Sequence, residues 1–131
     1  MGTHTISPFG DDEASDFVAE IVKSEDMGII ADAVYAVSNS EDRYVESSTA
    51  IRAIVAAEVI AALLGNESGD EPEELQSWIA DQYDPENELI DRARNAVERV
   101  LRDPELHELW RESELYCEWN TRIRSLLNRM H

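Results

Sequence analysis

Glu58 stands where a carboxylate needs an explanation. It interrupts AIRAIVAAEVIAALL, residues Ala50 to Leu64, and its neighbours Ala57, Val59, Ile60, Ala61 and Ala62 offer it nothing polar. An ionised carboxylate in such a setting is costly unless it is paired. Arg52 is the cation nearest in sequence, so Glu58 and Arg52 are a candidate buried ion pair. Six residues apart they fall on different helical faces, which favours an arginine from another helix, with a Trp or Tyr donor as a further choice. A structural ion pair is the plain reading of Glu58; a catalytic acid of perturbed pKa is the sharper one.

The other groups that could do chemistry are scattered. His4, His107 and His131 stand in no metal-ligand spacing such as H-E-x-x-H, and no Glu-x-x-His occurs to support a di-iron bundle. There is no G-x-S-x-G elbow and no phosphate-binding glycine loop. Cys117, the only cysteine, excludes an intrachain disulfide and reads as a packed or half-buried thiol beside Tyr116 and Trp119. Asp11, Asp12, Glu13 and Asp16 lack the alternating ligands and glycine of a calcium loop, so they read as helix-start carboxylates and a solvated face. Trp78, Trp110 and Trp119 fall at helical spacing with leucines, as core residues do. No cofactor or metal is expected.

Charge is the strongest compositional signal. Residues 1–90 hold 21 Asp and Glu against 3 Lys and Arg, a net of −18, whereas residues 91–131 hold 8 against 8 and are neutral. Such a field repels nucleic acid and anionic membranes and attracts basic proteins or cations. Acidity that merely keeps the protein soluble is the bland alternative. The acidic candidates for an interaction surface are Asp11, Asp12, Glu13, Asp16, Glu41, Asp42, Glu71, Glu73 and Glu74. The N-terminus shows no basic segment followed by an apolar run, and no window approaches the ~18 apolar residues of a membrane span. A cytoplasmic protein is therefore expected.

The elements that must position these groups are helices. Ala14, Phe17, Val18, Ile21 and Val22 form one stripe after a cap at Asp11 or Asp12. Gly28 precedes a short helix carrying Ile29, Ile30, Ala33, Val34, Ala36 and Val37, preferred over a buried strand because Ala31, Asp32, Ala33 and Ala36 are poor strand residues. The central helix spans about 47–64 and stops at Gly65. The loop from Gly65 to Glu71 reads as exposed, and Pro72 fits the first position of a helix through Leu75, Trp78, Ile79 and Tyr83. Asp84-Pro85 and Asp103-Pro104 repeat that start signal. The first opens the stripe Leu89, Ile90, Ala93, Ala96, Val97, Val100 and Leu101, with Arg94 and Glu98 spaced as an exposed pair. The second opens a segment with Leu106, Leu109 and Trp110. A last helix over Ser113–Asn128 offers Tyr116, Trp119, Ile123, Leu126 and Leu127, with Arg122, Arg124 and Arg129 near an end where cations suit the dipole.

Phe9-Gly10-Asp11-Asp12-Glu13-Ala14-Ser15-Asp16-Phe17 after Met1-Gly2 resembles the opening of the bacterial family called domain of unknown function 4259. AAEVIAALLG from Ala56, Pro72-Glu73-Glu74-Leu75, Ala96-Val97-Glu98-Arg99-Val100-Leu101 and Glu108-Leu109-Trp110 look like its later blocks, in order. The chain departs from that pattern at His4 and Ser7-Pro8, where family members usually carry a tryptophan and glycines. The resemblance implies kinship of fold and transfers no catalytic residue.

The expectation is an all-α single domain over residues 1–131: a compact bundle of six to seven short helices after an irregular segment 1–10. Its expected role is that of a protein-interaction module, immunity- or inhibitor-like, for a basic protein, without direct nucleic-acid or membrane binding. A small carboxylate-based or metal-assisted enzyme and a homodimeric structural domain are the alternatives.

Overall fold

A helix that is apolar on nearly every side must be enclosed, and the computed structural model builds its architecture around one. The structure describes residues 12–24, 27–39, 47–66, 71–82, 84–102 and 116–130, with the side chains of Asp12, Ser47 and 116–119 outside the description. Among the described residues there are six α-helices and no strand: α1 (Asp12–Lys23), α2 (Gly28–Ser38), α3 (Ser47–Leu63), α4 (Glu73–Ala80), α5 (Asn87–Arg102) and α6 (Tyr116–Arg129). The all-α bundle expected from the periodicity is the observed fold. The segment at Asp103-Pro104, with Trp110, falls outside the described residues.

α3 packs against all five other helices. Residues 53–61 of it are buried without a break. Ala50, Ala53, Ala56, Ala57 and Ala61 keep its surface thin, and Ala93 and Ala96 do the same for α5, so neighbouring backbones can approach closely. Around it α1 contributes Phe17, Val18 and Ile21, α2 contributes Ile30, Val34 and Val37, and α4 contributes Leu75 and Trp78. Trp78 also donates its indole N–H to the Ser24 carbonyl at 2.9 Å, tying α4 to the end of α1.

Two helix starts lie later than the proline signals suggest. Pro72 keeps an extended backbone (φ −57°, ψ 150°) and flanks α4 rather than opening it, its carbonyl accepting from the Leu75 and Gln76 N–H groups. α5 likewise begins at Asn87, two residues after Pro85, with the Glu86 carbonyl accepting from the Ile90 N–H. Proline fixes φ but leaves ψ open, so it marks the approach to a helix without setting the first turn. Arg94 does not take Glu98 either; it turns back one turn to Asp91.

α3 ends where Gly65 adopts φ +87°. The Gly65 N–H reaches the Ala62 carbonyl and the Asn66 N–H reaches the Ala61 carbonyl, both at 2.9 Å, the paired bonds of a Schellman end. A Cβ at position 65 would meet no atom within 4 Å, so only the backbone conformation requires glycine there. Gly65→Ala is therefore expected to cost about 1–2 kcal/mol in urea unfolding, the left-handed penalty alone. An unchanged midpoint would contradict this end for α3.

Candidate functional site

Glu58 lies on the turn of α3 that faces the end of α6, where it is 1% exposed. Arg129, in the last turn of α6, meets it with both terminal nitrogens: Nη1 donates to Oε1 at 2.8 Å and Nη2 to Oε2 at 3.1 Å. This parallel fork is the strong geometry for a guanidinium and a carboxylate. Arg129 Nη1 also donates to the Asn66 carbonyl at 3.3 Å, and Asn66 Nδ2 donates back to the Arg129 carbonyl at 2.9 Å. The Schellman turn of α3 is thereby bonded to the last turn of α6. From α5, Arg94 Nη1 donates to the Met130 carbonyl at 3.3 Å.

Burial pushes the Glu58 carboxyl above its ordinary value of 4.5, against the hydrogen bond and charge of Arg129. Glu71 pushes it the same way as burial, and Arg122 opposes. The fork thus holds Glu58 in place while desolvation still disfavours its charge. The fork engages one lone pair on each carboxylate oxygen, so the group acts here as a structural anchor between α3 and α6.

Arg52 belongs to a second, separate cluster, and its pairing with Glu58 is corrected. Its Nε donates to Glu13 Oε2 at 2.7 Å and its Nη2 to Glu20 Oε2 at 3.3 Å, with the guanidinium 5.3 Å from the centre of the Phe17 ring. Glu13, Phe17 and Glu20 share one face of α1 at i, i+4 and i+7, and Arg52 lies across it from α3. The six-residue offset that separates Arg52 from Glu58 on the wheel sends the two side chains to opposite neighbours.

The acidic candidates divide as well. Asp16, Glu73 and Glu74 are exposed. Glu13 is half-buried and held by Arg52, so it leaves the candidate surface. Glu71 leaves it too: at 5% exposure it lies inside, and its carbonyl accepts from Gln76 Nε2 at 2.8 Å. A polar loop suggests exposure, but Glu71 abuts the bundle immediately before Pro72 and α4. Asp11, Glu41 and Asp42, the side chain of Asp12, the three histidines and the Cys117 side chain lie outside the described residues. Among the described residues, no group of three or more His, Cys, Asp or Glu comes together as a metal site.

Arg129 was expected to serve the helix dipole, and Asn66 had no expected role. A signal was present: Arg122, Leu126 and Arg129 stand at i, i+4 and i+7, so Arg129 lies on the face that carries Leu126 into the core.

Fold and site together define a small acidic all-α domain whose central helix is fastened to its last helix by a buried carboxylate–guanidinium fork. The chain belongs to the DUF4259 family, a domain of unknown function, whose sequence model matches residues 2–122. Glu58, Glu71 and Arg122 fall within the matched segment and Arg129 beyond it. No curated protein and no solved structure matches the chain.

Removing one partner from a buried pair costs about 3–5 kcal/mol. Arg129→Met is expected near the lower end of that range, because Glu58 can take up a proton. The pH dependence has a definite sign. Since the folded pKa of Glu58 is raised, its contribution to stability is fully present below the ordinary value of 4.5 and is lost as pH rises through the folded pKa. Unfolding free energies of the wild type and Glu58→Gln, compared by urea denaturation from about pH 5 to 8, should show the wild type gaining on the variant as pH falls. A difference that grows with rising pH would mean that Arg129 outweighs burial.

Proposed function

We propose that this domain is a cytoplasmic protein-interaction module that engages a basic protein through its carboxylate-rich surface. The observation that supports the reading is a run of outward-facing acids without counterions in sequence. No Lys or Arg occurs between Arg52 and Arg92, and in that interval Glu73, Glu74, Asp81, Asp84, Glu86 and Glu88 are all exposed. They follow one another from the first turn of α4 to the first turn of α5. Like charges held this close raise the local potential and steer a cationic partner, chiefly by speeding encounter. The same field disfavours direct contact with nucleic-acid phosphate. Among the described residues, no helix is long and apolar enough to cross a membrane.

The fold supplies what such a surface needs. The core is closed around α3, and its one buried carboxylate there is paired with Arg129, so the exposed acids can vary in their engagement without disturbing the packing.

Affinity capture from the native host should retain a basic protein at low salt and release it at about 0.5 M, where charges are screened within a few ångströms. Replacing Glu73, Glu74 and Glu86 by Lys adds two charges at each position, taking the net charge from −18 to −12. This variant should associate with that partner about tenfold more slowly, with thermal stability little changed. Retention that ignores both salt and the charge reversal would overturn the proposal.

A further inference from the structure

α4 is the shortest of the described helices, eight residues from Glu73 to Ala80. An isolated helix shorter than about 12–15 residues is marginal in water, so α4 exists because it is docked. Its local signals are mixed: Glu73 and Glu74 suit the positive end of its dipole, but its last turn has no basic residue and Asp81 stands at the negative end. Five of its eight residues are exposed, and Leu75 and Trp78 are its buried side chains. Spaced i, i+3, they share one face, and α4 packs against α1 and α3. By contrast α2 buries three side chains and α5 four, while α3 is buried without a break over 53–61. The Trp78 indole N–H on the Ser24 carbonyl, at 2.9 Å, adds a polar tie from α4 to the end of α1.

We propose that α4 is a flap: it undocks from α1 and α3 while α2, α3 and α5 stay packed, and it carries Glu73 and Glu74 away from the acids at 81–88. The fixed side is marked by Glu71, buried in the bundle immediately before Pro72. Pro72 joins the two with an extended backbone, φ −57° and ψ 150°, and its ring leaves ψ free to turn. Opening breaks the bond from Gln76 Nε2 to the Glu71 carbonyl and the bond from Trp78 to Ser24, and water replaces both. The burial of Leu75 and Trp78 is lost without such a return, so those two side chains set most of the cost. Helices that bury more apolar side chains, or are enclosed on every side, open at higher cost. For its role the flap rests on the interaction reading above: docked α4 adds its two acids to the exposed run, and a basic partner that uses the whole run selects the docked form. The opening itself needs no partner.

Native-state hydrogen exchange with mass spectrometry, across a series of low urea concentrations, tests this on the full chain without any partner. In the wild type, amides of residues 75–81 should exchange at least about tenfold faster than those of residues 55–61, with a shallower dependence on urea, as a sub-global opening requires. Ile30→Val trims a buried side chain of α2, which packs against α3 and α5 rather than α4. It should speed exchange of residues 55–61 by about threefold to tenfold and leave residues 75–81 unchanged, because the seam of the flap is untouched. Equal rates and slopes for the two segments in the wild type, or equal acceleration of both in Ile30→Val, would overturn the proposal. Trp78→Phe keeps a ring in the seam and removes the tie to Ser24, so it should speed exchange of residues 75–81 by about fivefold. No change there would show that this tie does not hold the flap. Failure to capture a basic partner would leave all these rates as they are, so the interaction reading and the flap stand or fall separately.

Discussion

A helix without a polar face cannot lie on a surface, and Ser47–Leu63 is such a helix, so the other elements must divide its circumference between them. Their individual patterns reflect that division. α1, α2 and α5 each need only one apolar stripe, and each has one. The alanines of α3 and α5 are as important as the larger residues. The five other described helices fit around α3 only where its surface is thin, and a larger side chain at Ala57 or Ala61 would force its neighbours apart. The enclosure also explains why Glu58 matters. Any polar group on α3 between residues 53 and 61 is buried whichever way it points, so a carboxylate there must be met by a partner brought from another element.

That partner comes from the far end of the chain, and it shapes the electrostatic layout of the protein. The first ninety residues carry all the excess negative charge, and the remainder is neutral because its eight arginines balance its eight acids. Arg129 carries cationic charge from that remainder into the acidic part, and Arg122 acts on the same carboxylate. An apolar pair of similar volume could give equal or greater stability, because it would avoid desolvating two ions. What the fork adds is direction. Two parallel hydrogen bonds, together with the reciprocal bonds to Asn66, fix the height and rotation of the end of α6 along α3, which non-directional apolar contact specifies only loosely.

Much of this was legible from residue order, and the failures share a cause. The stripes on α1, α2 and α5 and the stop at Gly65 arise from local periodicity and from the need for a left-handed residue, both properties of neighbouring positions. The blocks between Phe9 and Trp110 that resemble the family likewise lie within the segment that the family model matches. The errors concern partners distant in sequence. Glu58 and Arg129 are 71 positions apart, and nothing local distinguishes an arginine that caps a dipole from one that enters the core. Glu71 was misplaced because polarity predicts solvent, while its burial depends on how the chain leaves α3 and approaches α4. Pro72 and Pro85 signalled helices correctly but not their first residues, since the ring fixes φ alone and leaves ψ to packing.

Arg52 and Arg129 show how depth decides the role of one kind of contact. Each is an arginine bound to glutamate across two helices at 2.7–2.8 Å, so bond length does not separate them. The Arg52 side chain is 39% exposed and that of Glu13 30%, whereas Glu58 retains 2%. Water and salt ions can reach the first cluster and screen it, and clusters of that kind contribute on the order of 1 kcal/mol or less. The second lies where ionic strength acts weakly, and breaking it strands a charge. Salt thus acts almost entirely on the outer charges of this protein, those that a partner would meet, and leaves the inner pair that holds the fold. The association proposed for the acidic surface would therefore be graded by ionic strength without loosening the bundle beneath it.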